Sequence, residues 1–215
     1  MLSTLFNITV IAEWCAFITA VFLLRKKTKV WQLFIVFLFI TVCAETAGWI
    51  LSFVFKKNNN WIFNINLLIN VPFSIWIFSK AEPLQKVSRF LYLAMALFIV
   101  FALTNLFFFQ GFWKYNGITD VFSSIMLAVI CCYFFYAVLK EETFRDLFRY
   151  EYFWLANGFL FYSLGSVVLY VFLDYLWAYY NQTKINVYGY INYGLNVLFY
   201  GSLIIAFICR HRNSK

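Results

Sequence analysis

The stretch WQLFIVFLFITVCAETAGWILSFVF, residues 31–55, decides how this chain folds. As a helix its 25 residues cover roughly 37 Å, at about 1.5 Å rise per residue, enough to cross a bilayer core with some tilt. It carries one charged side chain, Glu45. An acidic group near mid-membrane costs on the order of 2.5–3.5 kcal/mol on insertion scales, so something must compensate it. The usual partner is a lysine or arginine on another span, and none of the other apolar stretches holds one in its interior.

The rest of the 215 residues is of the same kind: 64% hydrophobic and 12% charged. A soluble domain is roughly half apolar and a quarter charged, so the composition predicts an all-α, polytopic membrane protein. The net charge of +8 sits in short clusters between apolar runs, which fits membrane topology and gives no reason to invoke nucleic acid. Five cysteines, all inside apolar runs and without a CxxC, argue against a disulfide framework or metal site and read as small buried residues.

Seven spans are predicted, at about 5–24, 31–55, 61–79, 88–109, 115–139, 151–177 and 186–209, forming a single membrane domain over 1–215. The first run carries Glu13 mid-way and has no basic residue ahead of it, which argues against a cleavable signal. Thirteen of the 17 basic residues fall in the loops after spans 1, 3 and 5 and in the C-terminal tail, and four fall on the other side. The positive-inside rule then places the N-terminus outside and the C-terminus in the cytoplasm, the expected location being the inner cell membrane. Trp31, Trp61, Trp113, Trp154 and Trp177 fall near span ends, as an aromatic belt requires.

Acids and amides enter the spans where bases do not. Glu13 and Glu45 lie near the midplane or in the outer half, and Asp120 and Asp174 are shallower. Asn66 and Asn70 are four apart in span 3, as are Asn192 and Asn196 in span 7, so each pair shares a helix face; Asn105 joins them from span 4. The segments around the two pairs match as I-N-x-x-x-N-V-x-F, 65–73 against 191–199. Spans 3 and 7 run the same way, the relation expected of two three-span repeats joined by a fourth span, as in small sugar transporters, although the match does not extend to the other spans. Pro72 should kink span 3 or free backbone carbonyls. Gly158 with Gly165, and Gly194 with Gly201, suggest close packing between the last spans. The inner loop 141–150 places Phe144, Leu147 and Phe148 on one face of a short interfacial helix, a docking face for a cytoplasmic partner.

The residue inventory argues against catalysis. The single histidine, His211, lies past the last span, so no histidine–carboxylate set for metal or proton chemistry assembles within the spans, and no cofactor is implied. For Glu13 and Glu45 three readings stand. They are protonated and hydrogen-bonded across the bundle, or ionised and neutralised by a cationic ligand or ion, or one of them carries a coupling proton. The aromatic content, 24% of the chain, suits a cage around an organic cation and suits ordinary packing equally well.

The segments YEYFWLANGFLFYSLG, 150–165, and INYGLNVLFYGSLIIAF, 191–207, within a seven-span layout, resemble a group of small bacterial membrane proteins often encoded near sensor kinases. The resemblance covers the last third of the chain and implies sensing, with a cytoplasmic signalling protein such as a histidine kinase as partner. The expectation is a receptor or sensor subunit that binds a small polar or cationic ligand in an outward-facing cavity. Its ligand residues would be Glu13, Glu45, Asn66, Asn70, Asn105, Asp120, Asn192 and Asn196. A small solute transporter of three-plus-one-plus-three layout is the alternative, and a non-catalytic structural or assembly protein is a third.

Overall fold

A computed structural model describes residues 2–141 and 146–213, with side chains from residue 8 onward. Among the described residues the chain is all helix: α1 (Leu2–Leu24), α2 (Lys29–Trp49), α3 (Asn60–Ser79), α4 (Ser88–Thr104), α5 (Gly117–Leu139), α6 (Glu151–Val171), α7 (Leu173–Thr183) and α8 (Val187–Asn213). Single π-helical turns, Ile50–Val54 and Asn105–Phe109, extend α2 and α4, and a 3-10 turn, Glu82–Val87, leads into α4. Six helical segments are long and apolar enough to cross a bilayer; in α1 the apolar stretch with described side chains is Ile8–Leu24. Outward-facing Phe22, Phe39, Phe90, Leu97, Val129, Phe161 and Leu198 clothe the bundle in apolar surface, while Glu13, Asn66, Asn105 and Asn196 are buried. Apolar outside and polar inside is the arrangement of a helical membrane protein.

The helices close into a ring. In order around it, α1 packs on α2, α2 on α3, α3 on α5, α5 on α6, α6 on α8, and α8 on α1, with α4 outside against α3. The interior has two storeys. Toward one end it is filled by rings that meet across the bundle: Phe34 contacts both Phe73 of α3 and Phe207 of α8, Phe37 stacks on Phe73 at 4.1 Å, and Phe78 contacts Phe134 and Phe159. Toward the other end the same faces become polar: Glu13 on α1, Thr41 and Glu45 on α2, Asn66 and Asn70 on α3, Ser124 on α5, Tyr162 on α6, Asn196 and Tyr200 on α8.

Each end has its own character. At the polar end Asn64 donates to the carbonyls of Phe112 and Lys114 at 2.9 and 2.8 Å and accepts from the Asn116 backbone N–H at 3.0 Å. Asn58 reaches the Trp113 carbonyl at 2.8 Å, so asparagines at the start of α3 tie down the whole 110–116 loop. At the opposite, basic end Glu151 pairs with Arg210 at 2.9 Å and accepts from Asn213 at 3.1 Å, and Arg210 lies over the Trp31 ring.

Several sequence expectations change here. Span 6 does not run to 177: it ends at Val171, Phe172 leaves helical geometry, and the aromatic, half-polar α7 follows as a separate short helix with Asp174 exposed on it. LDYLWAYYNQT is too polar to extend a span and suits a water–lipid boundary. Trp31 is no belt residue, being 2% exposed and stacked on Phe34, whereas Trp113 and Trp177 do face outward. Of the cysteines only Cys131 is buried; Cys15, Cys43 and Cys132 face outward. A cysteine is apolar enough to sit against lipid, so its place in an apolar run does not say which face it takes. Helix α3 continues unbroken through Pro72. The loop helix reduces, among the described residues, to a 3-10 turn, Leu147–Arg149. Within it Leu147 turns toward the core and Phe148 is exposed; Phe144 lies outside the described residues.

The glycine pairs also separate. A Cβ on Gly158 would stand 2.9 Å from Ser202 Cβ, and one on Gly165 would meet Leu195, so both let α6 approach α8 closely. Gly194 and Gly201 face open space. Gly158→Val is therefore expected to cost about 1–3 kcal/mol by overpacking. Gly194→Ala should leave stability unchanged or raise it, because alanine is the better helix former. Thermal unfolding in detergent reads both.

Candidate functional site

The polar storey centres on Glu13. Its side chain is 1% exposed; Oε1 accepts a hydrogen bond from the Tyr200 hydroxyl at 2.7 Å, and Oε2 is buried with no hydrogen-bond partner. Glu45 is near enough for the two carboxyls to interact electrostatically, and both act on Tyr162 and Tyr200, as Asp120 acts on Tyr162. Five helices, α1, α2, α5, α6 and α8, thus contribute to one electrostatic neighbourhood. Glu45 lies on the stripe of α2 that carries buried Phe34, Leu38, Thr41, Val42 and Gly48, yet it is only half-buried.

The surroundings are rich in polar groups and hold no lysine or arginine among the described residues. Thr9 Oγ1, Thr46 Oγ1 and Asn66 Oδ1 are also buried without a hydrogen-bond partner. Asn70 Oδ1 meets the Thr41 hydroxyl at 3.3 Å, which brings α2 and α3 into register at this level. The Glu13–Tyr200 contact does the same for α1 and α8, and one turn farther along Thr9 and Asn196 share a level. Two carboxyls in a low-dielectric interior repel strongly when both are charged, and burying an unpaired charge costs several kcal/mol. A proton or a cation at Glu13 Oε2 would relieve that cost.

The remaining ligand residues named from sequence divide. Asn196 donates to the carbonyl and side-chain oxygen of Asn192 one turn earlier, at 2.8 and 3.3 Å, so that amide pair serves itself. Asp120 accepts from Tyr115 at 2.8 Å near the mouth of the polar storey. Asn105 is spent elsewhere: its amide donates to Gln110 at 2.9 Å, to Thr119 at 3.0 Å and to Asn116, within the network that fixes the 110–116 loop. Its amide hydrogens are taken by that loop, since two N–H groups are shared among three acceptors.

Two tyrosines, Tyr162 and Tyr200, and the hydroxyl of Thr41 belong to the site and were not singled out by sequence. They occupy inward positions level with the carboxyls, a placement that needs the helix register. The basic end holds a second group missed in the sequence, a cavity of about 290 Å³ lined by Thr28, Trp31, Lys80, Glu151, Tyr152 and Arg210 among others. Its signal was present: Glu151 opens one helix and Arg210 ends its antiparallel neighbour, which puts opposite charges at one level.

Tyr200→Phe removes the only hydrogen bond to the Glu13 carboxyl found among the described residues and is expected to cost about 1–3 kcal/mol in thermal unfolding. Adding Glu13→Gln should recover part of that loss, since an unpaired amide costs less to bury than a carboxylate. No family model matches the chain, and no curated protein or solved structure shows significant similarity to it.

Proposed function

We propose that this protein is a seven-span receptor or sensor subunit of the inner cell membrane that binds a small cationic or polar ligand in the polar storey. The N-terminus and the asparagine-tied end face outward and the basic end faces the cytoplasm, following the distribution of basic residues in the loops. In this orientation α1 is the first span. The observation that carries the reading is the buried Glu13 carboxyl, half served by Tyr200 and beside Glu45, in a set of spans without a lysine or arginine in their interiors. A ligand ammonium group supplies both the charge and the donors that Glu13 Oε2 and Asn66 Oδ1 require. Tyr162 and Tyr200 provide ring faces for the cation, and Glu45 holds the end nearer the mouth.

The aromatic storey closes the interior below this site, so the bound ligand does not pass through; its charge acts on the ring from within. A cytoplasmic signalling protein, such as a histidine kinase, would meet the basic end. Phe148, 72% exposed there, is the described residue best placed for that contact.

The transporter reading keeps one specific support. Around the ring the helices follow as α1-α2-α3 and α5-α6-α8 with α4 outside, the order that two three-helix halves and a linker helix would give. In that case the same carboxyls would bind the solute or its coupling proton.

Thermal-shift screening of the purified protein against small amines, quaternary ammonium compounds, amino acids and sugars tests the proposal. A binder present at a hundred times its Kd is expected to stabilise by about 2.7 kcal/mol. Glu45→Gln should remove that shift while the unliganded protein stays folded. Stabilisation that survives in Glu45→Gln, or that comes only from anions, overturns the assignment. Uptake of the labelled binder into proteoliposomes would move the conclusion to transport.

A further inference from the structure

A second site stands at the basic end, away from the carboxyls. Helix α1 stops at Leu24, the Lys27 N–H bonds the Leu24 carbonyl at 3.0 Å, and the Gln32 side chain holds the Arg25 carbonyl at 3.1 Å. The connection to α2 is thereby fixed as a tight turn bearing Arg25, Lys26 and Lys27. Helix α8 ends beside it, where His211 Nδ1 lies 3.3 Å from the Leu23 carbonyl. A carbonyl only accepts, so Nδ1 carries the hydrogen, and His211 caps one of the last carbonyls of α1. Between the two helix ends lies a crevice of about 340 Å³, its walls made by Phe22, Leu23, Arg25, Lys26, Lys27 and His211.

Basic residues at helix C-termini answer the helix dipole, and that alone accounts for their presence. It does not account for the crevice they surround. Among the described residues no acidic side chain lines it, and the acid at the start of the neighbouring α6, Glu151, is engaged by Arg210 and Asn213. One wall is apolar and opens directly onto the lipid-facing side of α1: Phe22 is 78% exposed, and Ile18 and Trp14 follow it at four-residue steps along the same outer face. A charged recess at the membrane boundary, continuous with an apolar strip running into the hydrocarbon, matches an amphiphile with an anionic head.

We propose that this crevice is a binding site for an anionic phospholipid. The lipid phosphate sits among Arg25, Lys26, Lys27 and His211, and an acyl chain lies along Phe22, Ile18 and Trp14. A free phosphate would use the same cations and would gain nothing from the apolar wall. The site is independent of the cation site in the polar storey.

Retention of phospholipid by the purified full chain, followed by native mass spectrometry after exchange from vesicles of phosphatidylcholine with or without phosphatidylglycerol, provides the test. The wild type is expected to keep phosphatidylglycerol in preference to phosphatidylcholine. Lys26→Gln/Lys27→Gln should lower that preference roughly tenfold or more. Lys80→Gln/Lys86→Gln, an equal change of charge at the same end but outside the crevice, should leave it intact. Phe22→Ala, whose side chain faces away from the core, keeps the fold and should shorten retention severalfold. Equal losses in both lysine pairs would reduce the effect to general surface charge and overturn the site. Displacement of the lipid by millimolar inorganic phosphate, or no effect of Phe22→Ala, would overturn its assignment to a lipid.

Discussion

A carboxyl group held inside an apolar bundle without a basic partner is the constraint on which this architecture turns. Glu13 is buried, accepts one hydrogen bond from Tyr200, and has its second oxygen in contact with no donor. Glu45 nearby is a second acidic group, and charging both would cost more than charging one. In water the two would be indifferent to each other; in a low-dielectric interior their repulsion is a dominant local energy. The helices that reach this level bring oxygen-bearing or amide side chains, and none of the described spans places a lysine or arginine there.

The storey below works by the opposite means. Phe34, Phe37, Phe73 and Phe207 interlock across α2, α3 and α8, while Phe78, Phe134 and Phe159 join α3, α5 and α6. Edge-to-face and stacked rings contribute about 0.5–1.5 kcal/mol per pair beyond their burial. They tie the same helices together a level below the polar contacts. The same α2 that carries Glu45 carries Phe34 and Phe37, so a change of charge at one level and ring packing at the next are linked through a rigid helix. That linkage is local and mechanical, and it needs no extended pathway.

The sequence disclosed the helices well because an apolar run of span length has few alternatives. It disclosed the inward direction of Glu13, Asn66 and Asn196 for the same reason, since polar groups avoid lipid. It failed where composition and geometry part company. Trp31 looked like an interfacial residue by position but is core, because Arg210 and Phe207 arrive from a helix nearly 180 residues later. Asn105 looked equivalent to Asn66, and only the fold shows it turned to Asn116 and Thr119. Gly158 and Gly194 occupy similar patterns, and only one of them faces a neighbouring helix. Long-range pairing decides each of these cases, and a spacing rule within one helix carries no information about it.

The ring order offers a physical reason for the split between acids within and bases at the rim. Closing six helices around a common interior makes whatever points inward mutually visible, so like charges there multiply in cost while opposite charges would cancel. A lysine in the polar storey would satisfy Glu13 permanently and leave a static ion pair. Keeping bases at the helix ends, where Arg210 pairs with Glu151, leaves Glu13 without a basic partner among the described residues.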